Sequence, residues 1–255
     1  GREALHETAL SADGERETAF VHTLDGTVYS VVVRSEESIH CRRVGAHQFL
    51  LSPFAEEEQG STWQFSVQFT PEAGPGTEAA RHRNAAVDVS PRAVFVRSEV
   101  GWQSFWRRTG VIDLHESSDP RALELERRIV LSQYLMAVNS AGALPPQETG
   151  LTCNSWYGKF HLEMYFWHEA WLLLFGRSDL LERSLPWFME HLPQARALAA
   201  KNGYAGARWP KMSAADADQS PSPIAPLLVW QQPHLIYMLW LLYRDGGDVE
   251  TVRTC

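Results

Sequence analysis

The stretch PPQETGLTCNSWYGKFHLEMYFWH, Pro145 to His168, separates two apolar helical patterns and so decides how the second half of the chain is arranged. Its first part is loop chemistry, in which Pro, Gly, Asn and Ser break any periodicity around Glu148, Trp156 and Lys159. Its second part opens an aromatic helix through His161 and Glu163. Flat ring faces set among charged hydrogen-bonding groups suit a sugar, which offers both an apolar face and hydroxyls.

Working outward, Leu123, Leu125, Ile129, Val130, Leu131, Tyr134, Leu135 and Val138 recur at three- and four-residue spacings. With Asp119 as N-cap and Pro120 as first helical residue, they predict a helix over 121–139. The second helix, 160–175, is apolar nearly all round and is expected to be buried on most sides. Gly176 ends it, and Ser178 or Asp179 starts a third, 179–201, which Pro186 and Pro193 kink or split. A second long loop, NGYAGARWPKMSAADADQSPSP, leads to a fourth helix from Pro233 to near Arg244. Loops this long are uncommon inside compact helical domains and are usually functional. Tightly joined helices run antiparallel, so both long loops leave the same end. That face would gather Glu148, Trp156, Lys159, His161, Glu163, Arg208, Trp209, Lys211, Asp216, Asp218, Gln231, Gln232 and His234.

Upstream the period is two. Trp63, Phe65, Val67 and Phe69 alternate with polar residues, and TVYSVVVR, HQFLL and RAVFVR are short β-branched or aromatic runs. Separated by LDG, SPFAEEEQG and PEAGPGTEAARHRN, they predict an antiparallel β-sandwich region over 1–100, with Glu56 to Glu58 a solvated loop. Residues 101–120 read as a linker whose Trp102 and Trp106 pack the β region against 121–255. The expected class is therefore α+β and multidomain.

Composition narrows the partners. A net charge of -8 with no concentrated Lys/Arg window argues against nucleic acid or an anionic membrane as ligand. No apolar run approaches the roughly 20 residues of a membrane span. Cys41, Cys153 and Cys255 lie far apart without metal-ligand spacing, so neither a structural zinc, nor another metal, nor a disulfide framework is expected. Ten Trp exceed what core filling asks of a chain this size, so some are expected to face ligand.

The segments from ELERRIVLSQYLMAVNS through NSWYGKFHLEMYFWHEAWLLLFGR, then GYAGARWPKM, then SPSPIAPLLVWQQPHLIYMLWLLYR resemble the six-hairpin glycosidase superfamily, in particular relatives of the kojibiose and maltose phosphorylases. The resemblance covers 102–244 and implies an N-terminal β-sandwich, a linker and an (α/α) barrel of six hairpins. Four visible helices cannot close such a barrel, so the chain reads as the front of one. The resemblance further implies glycosidic-bond hydrolysis with inversion, a carbohydrate substrate, no cofactor, and a general acid later in the barrel than these helices reach. Such a piece is expected to be inactive alone and to self-associate through Phe166, Trp171, Leu235, Met238 and Leu242.

Glycosidases flank the scissile bond with two carboxyl groups. Glu163 and Glu148 are the candidates here; their alternative roles are a structural partnership with Lys159 or Arg208, and bracing of the loop. Lys159, His161, Arg208 and Lys211 suit charge-assisted hydrogen bonds to hydroxyls or phosphate. Trp156 and Trp209 are stacking candidates, and Gln231, Gln232 and His234 either bond a saccharide or satisfy the free N–H groups of the last helix. The rival functions are a disaccharide phosphorylase, which a basic pocket in these loops would favour, and a non-catalytic saccharide-binding or interaction protein.

Overall fold

A computed structural model of the chain describes residues 6–24, 27–54, 62–71, 89–108, 110–246 and 249–250. The chain divides into two compact units, 1–105 and 106–255. The turn residues Asp25 and Gly26, the acidic run Glu56 to Glu58, the loop from Glu72 to Asn84 and Cys255 lie outside the described residues.

In the first unit β1 (His6–Asp13), β2 (Glu17–Leu24), β3 (Thr27–Ser35) and β6 (Phe65–Pro71) form an antiparallel sheet in the order β1-β2-β3-β6. The remaining strands, β4 (Ile39–Arg43) and β5 (Phe49–Pro53), pair as a separate hairpin. Alternation explains the packing. Phe20, Val31 and Val33 point to one face, where Cys41, Phe49 and Leu51 of the hairpin cover them. Phe65, Val67 and Phe69 of edge strand β6 stay exposed, although Val67 and Phe69 stand opposite Val33 and Val31.

The run RAVFVR is not a strand. It lies in helix α1 (Pro91–Arg107), which also takes up the first part of the expected linker. The cause is a start signal stronger than β propensity: Ser90 accepts from the Ala93 N–H through Oγ at 3.4 Å, and Pro91 supplies a first-turn residue with no N–H to satisfy. Trp102 packs edge-on against Phe105 at 5.2 Å within α1.

The second unit follows the helical reading except at the start of the second helix, where Phe160 bridges to Ser213, Leu162–Met164 form a 3-10 turn and the α-helix begins only at Tyr165, so that His161 and Glu163 precede it. Helix α2 spans Ala122–Ser140, α3 Tyr165–Leu174 and α7 Gln232–Arg244. Asp119 accepts from the Arg121 N–H at 2.8 Å, and α2 begins at Ala122, one residue after the expected start at 121. The expected third helix is divided into α4 (Ser178–Leu181), α5 (Leu185–Glu190) and α6 (Leu192–Lys201), with Pro186 and Pro193 in the first turns of the last two. A proline is tolerated there because its missing N–H would have no intrahelical acceptor. The described helices close no barrel.

The core of this unit joins Tyr165, Leu172 and Leu173 of α3, Leu181, Trp187 and Phe188 of α4 and α5, and Met238, Leu239 and Leu242 of α7. Each fully buried large apolar side chain contributes about 1.5–3 kcal/mol. Two expectations are corrected here. Met238 and Leu242 are core, at 0% and 3% exposure, and Phe166, Trp171 and Leu235 pack partly buried against that core rather than standing as a sticky flank. Helix α3 buries one broad face only, leaving Trp167 and Leu174 exposed. No described helix is long and apolar enough to cross a membrane.

Candidate functional site

The two long loops meet, as the antiparallel argument requires. Phe160 and Ser213 exchange backbone hydrogen bonds at 2.9 Å in both directions, and the Glu163 N–H donates to the Lys211 carbonyl at 3.2 Å. Lys159 Nζ donates to Ser220 Oγ at 2.7 Å, tying the first loop to the far end of the second.

Around this seam lies a line of charge running from interior to surface. Lys211 Nζ pairs with Glu163 Oε2 at 2.9 Å, both side chains being largely buried. His161 Nε2 faces the same Glu163 oxygen at 3.8 Å, and its Nδ1 faces Glu148 Oε1 at 3.9 Å. Glu148 is the half-exposed end, with a third of its side chain open to solvent. Its Oε2 accepts from the Trp156 indole N–H and from Ser155 Oγ, and its backbone carbonyl bonds His168 Nε2 at 3.0 Å.

His161 is the most constrained member. The ring is 3% exposed and neither nitrogen has a hydrogen bond among the described residues. Burial pushes its pKa down, while Glu148 and Glu163 on either side pull it up and Lys211 lowers it. A neutral ring can donate from one nitrogen only, yet both of its neighbours are acceptors. Gaps of 3.8–3.9 Å are too long for hydrogen bonds, and contacts of this kind commonly tighten when a ligand closes the site. His168 and His234 also have lowered pKa values, again chiefly from burial.

Other expected site residues have structural partners. Trp209 is 7% exposed and packs against Trp187 and Phe188, so its ring is core rather than a stacking face. Gln232 clamps the Trp209 backbone, accepting its N–H at 2.8 Å and donating to its carbonyl at 2.6 Å, while Gln231 donates to that carbonyl at 3.2 Å. Arg208 is buried and donates to Asn202 Oδ1 and the Pro226 carbonyl, joining two walls of a cavity of about 620 Å³. His234 lies 3.4 Å from the Leu162 carbonyl among Phe166, Trp167 and Trp230. Asp216 accepts from the Asp218 N–H in a tight exposed turn. Among the described residues, no group of three or more His, Cys, Asp or Glu is arranged to hold a metal ion.

Sequence reading passed over Ser155, Tyr157 and Ser220 as members of this site, whereas one of His161 and His168 reads as a core histidine bonded to a backbone carbonyl, and His168 on the Glu148 carbonyl is that residue. Only Gly158, directly after two aromatics, hinted at unusual backbone there. Compared with known protein families, curated proteins and solved structures, the chain matches none.

Proposed function

We propose that the chain carries the saccharide-facing part of a glycoside hydrolase, inverting, with helical hairpins of the (α/α) barrel type behind a β-sandwich-like N-terminal unit. The observation that carries this reading is the half-exposed Glu148 carboxylate bonded to an exposed indole, with a second carboxylate on the opposite nitrogen of buried His161. In this reading Trp156, 53% exposed, stacks on a sugar ring. Glu148 is the ligand-facing carboxylate that activates water, and the Lys211–Glu163 pair holds His161 behind it. The general acid is assigned to none of the described residues.

Phosphorolysis would need free positive charge for a phosphate. The Lys211 charge is offset by Glu163, and the partly exposed Glu148 carboxylate would repel a phosphate, so the cluster favours water as nucleophile. The test is hydrolysis of aryl glycosides and disaccharides by the full-length gene product, with and without phosphate. Phosphate-independent release of inverted sugar, lost in Glu148→Gln, is expected. Turnover that requires phosphate would identify a phosphorylase, and saccharide binding without turnover a binding protein. Trp156→Ala should weaken saccharide binding by about 1 kcal/mol with the far-ultraviolet circular dichroism unchanged; a variant that unfolds would make Trp156 a core residue.

A further inference from the structure

Trp156, Tyr157 and Gly158 all have positive φ, at 51°, 61° and 73°. Glycine adopts this left-handed conformation freely, but Trp and Tyr do not, because the Cβ crowds the following carbonyl. Two such residues in succession store strain, and strain of this kind persists where the surroundings enforce it and gathers at ligand-binding sites. The result here is exposure: the Trp156 ring is 53% and the Tyr157 ring 90% accessible, on neighbouring residues.

Each ring meets a charged group. The Trp156 indole donates to Glu148, and Lys159 Nζ stands 5.8 Å from the centre of the Tyr157 ring while bonding Ser220. Hydrogen bonds from Gln147 hold the turn from behind: its Oε1 accepts the Ser155 N–H, and its amide donates to the Gly150 and Cys153 carbonyls. A large apolar ring left in water gains nothing for folding. A strained turn that exposes two of them, one bonded to a half-exposed carboxylate and the other near an ammonium, therefore serves a ligand.

Resting on the saccharide reading above, we propose that Trp156 and Tyr157 form a two-ring platform for an oligosaccharide of at least two sugar units, with Tyr157 selecting for chain length. Trp156, bonded to Glu148, takes the unit nearest the carboxylate. Tyr157, beside Lys159, takes the next, with the ammonium donating to its hydroxyls.

The experiment is calorimetric titration of the 255-residue chain with the mono-, di- and trisaccharide of one sugar. For the wild type, affinity should rise roughly five- to tenfold from mono- to disaccharide, the size of one added stacking contact. Tyr157→Ala should flatten this rise, and Tyr204→Ala, which removes another exposed tyrosine, should leave it intact. Tyr157→Gly should flatten it too while raising the melting temperature, because glycine relieves the strain. An undiminished rise in Tyr157→Ala, or Tyr157→Gly melting below the wild type, would overturn the platform while leaving the saccharide reading in place. No binding of any saccharide to the wild type would overturn that reading and this inference with it.

Discussion

Glu169 sits on α3 at 1% exposure with neither carboxylate oxygen hydrogen-bonded, and burial pushes its pKa up to about 8. A folded-state value above the unfolded one means that its contribution is fully present below about pH 4.5 and is lost as pH rises through 8. His161, His168 and His234 act in the opposite sense. Their lowered values mean stability that is present above about 6.5 and lost as pH falls. Glu169→Gln should therefore be near neutral at pH 5 and stabilising by a few kcal/mol at pH 8.5. Its urea-unfolding free energy should climb to pH 6.5 and then stay level where the wild type declines; a parallel decline in the variant would place the titrating group elsewhere. The Lys211–Glu163 pair makes a second prediction at this scale. Lys211→Met leaves a largely buried carboxylate unpaired and should cost about 2 kcal/mol or more, whereas Lys211→Met with Glu163→Gln should recover most of it. Equal losses in the single and double variants would mean that the pair contributes no coupling.

At the scale of elements, the first long loop is fastened to the end of α2. Asn139 Oδ1 accepts from the Leu151 and Thr152 N–H groups at 3.2 Å and from Thr152 Oγ1 at 3.1 Å. Gly150 makes that approach possible, with φ of 71° and a position where a Cβ would fall 2.4 Å from Asn139 Cβ. Gly150→Ala should lower stability by about 1–3 kcal/mol and, by shifting the loop, weaken saccharide binding as well. A variant with wild-type melting would show that the loop end adapts. How much of this was legible follows from what each signal encodes. The stripe from Leu123 to Val138 and the prolines at 186 and 193 act locally, so α2 and the division into α4, α5 and α6 could be read directly. Helix α1 was hidden because Val94, Phe95 and Val96 carry β propensity, while Ser90 and Pro91 carry the start signal. The meeting of the loops was legible from loop lengths, and with it the grouping of Glu148, His161, Glu163 and Lys211. Trp156 and Trp209 looked alike in sequence, yet only the second meets Trp187 and Phe188, a tertiary fact no local pattern carries.

For the molecule as a whole, the exposed apolar surface is the feature with the largest consequence. Leu123, Leu125, Leu131 and Leu135 of α2 are between 42% and 66% exposed, and Ile236, Tyr237, Trp240 and Tyr243 of α7 between 41% and 71%. On α7, Ile236, Trp240 and Tyr243 border a groove of about 740 Å³ that reaches inward to Trp209 and Leu239. Monomeric proteins seldom leave contiguous apolar patches beyond a few hundred Å² uncovered. These side chains are exposed among the described residues, so further copies of the chain are the most available cover in a purified sample. Sedimentation velocity should therefore show the weight-average mass rising with concentration through the micromolar range. Because the driving force is burial of apolar area, association should strengthen in sulfate and change little with moderate sodium chloride, which would screen a charge-driven contact. Ile236→Lys with Trp240→Lys places two charges on the exposed side of α7 without touching buried Met238 or Leu242, and should return the chain to a monomer with its helical signal intact. A wild-type chain that stays monomeric at a hundred micromolar would show that these faces are tolerated in water, and an oligomer unaffected by the double substitution would place the contact on α2.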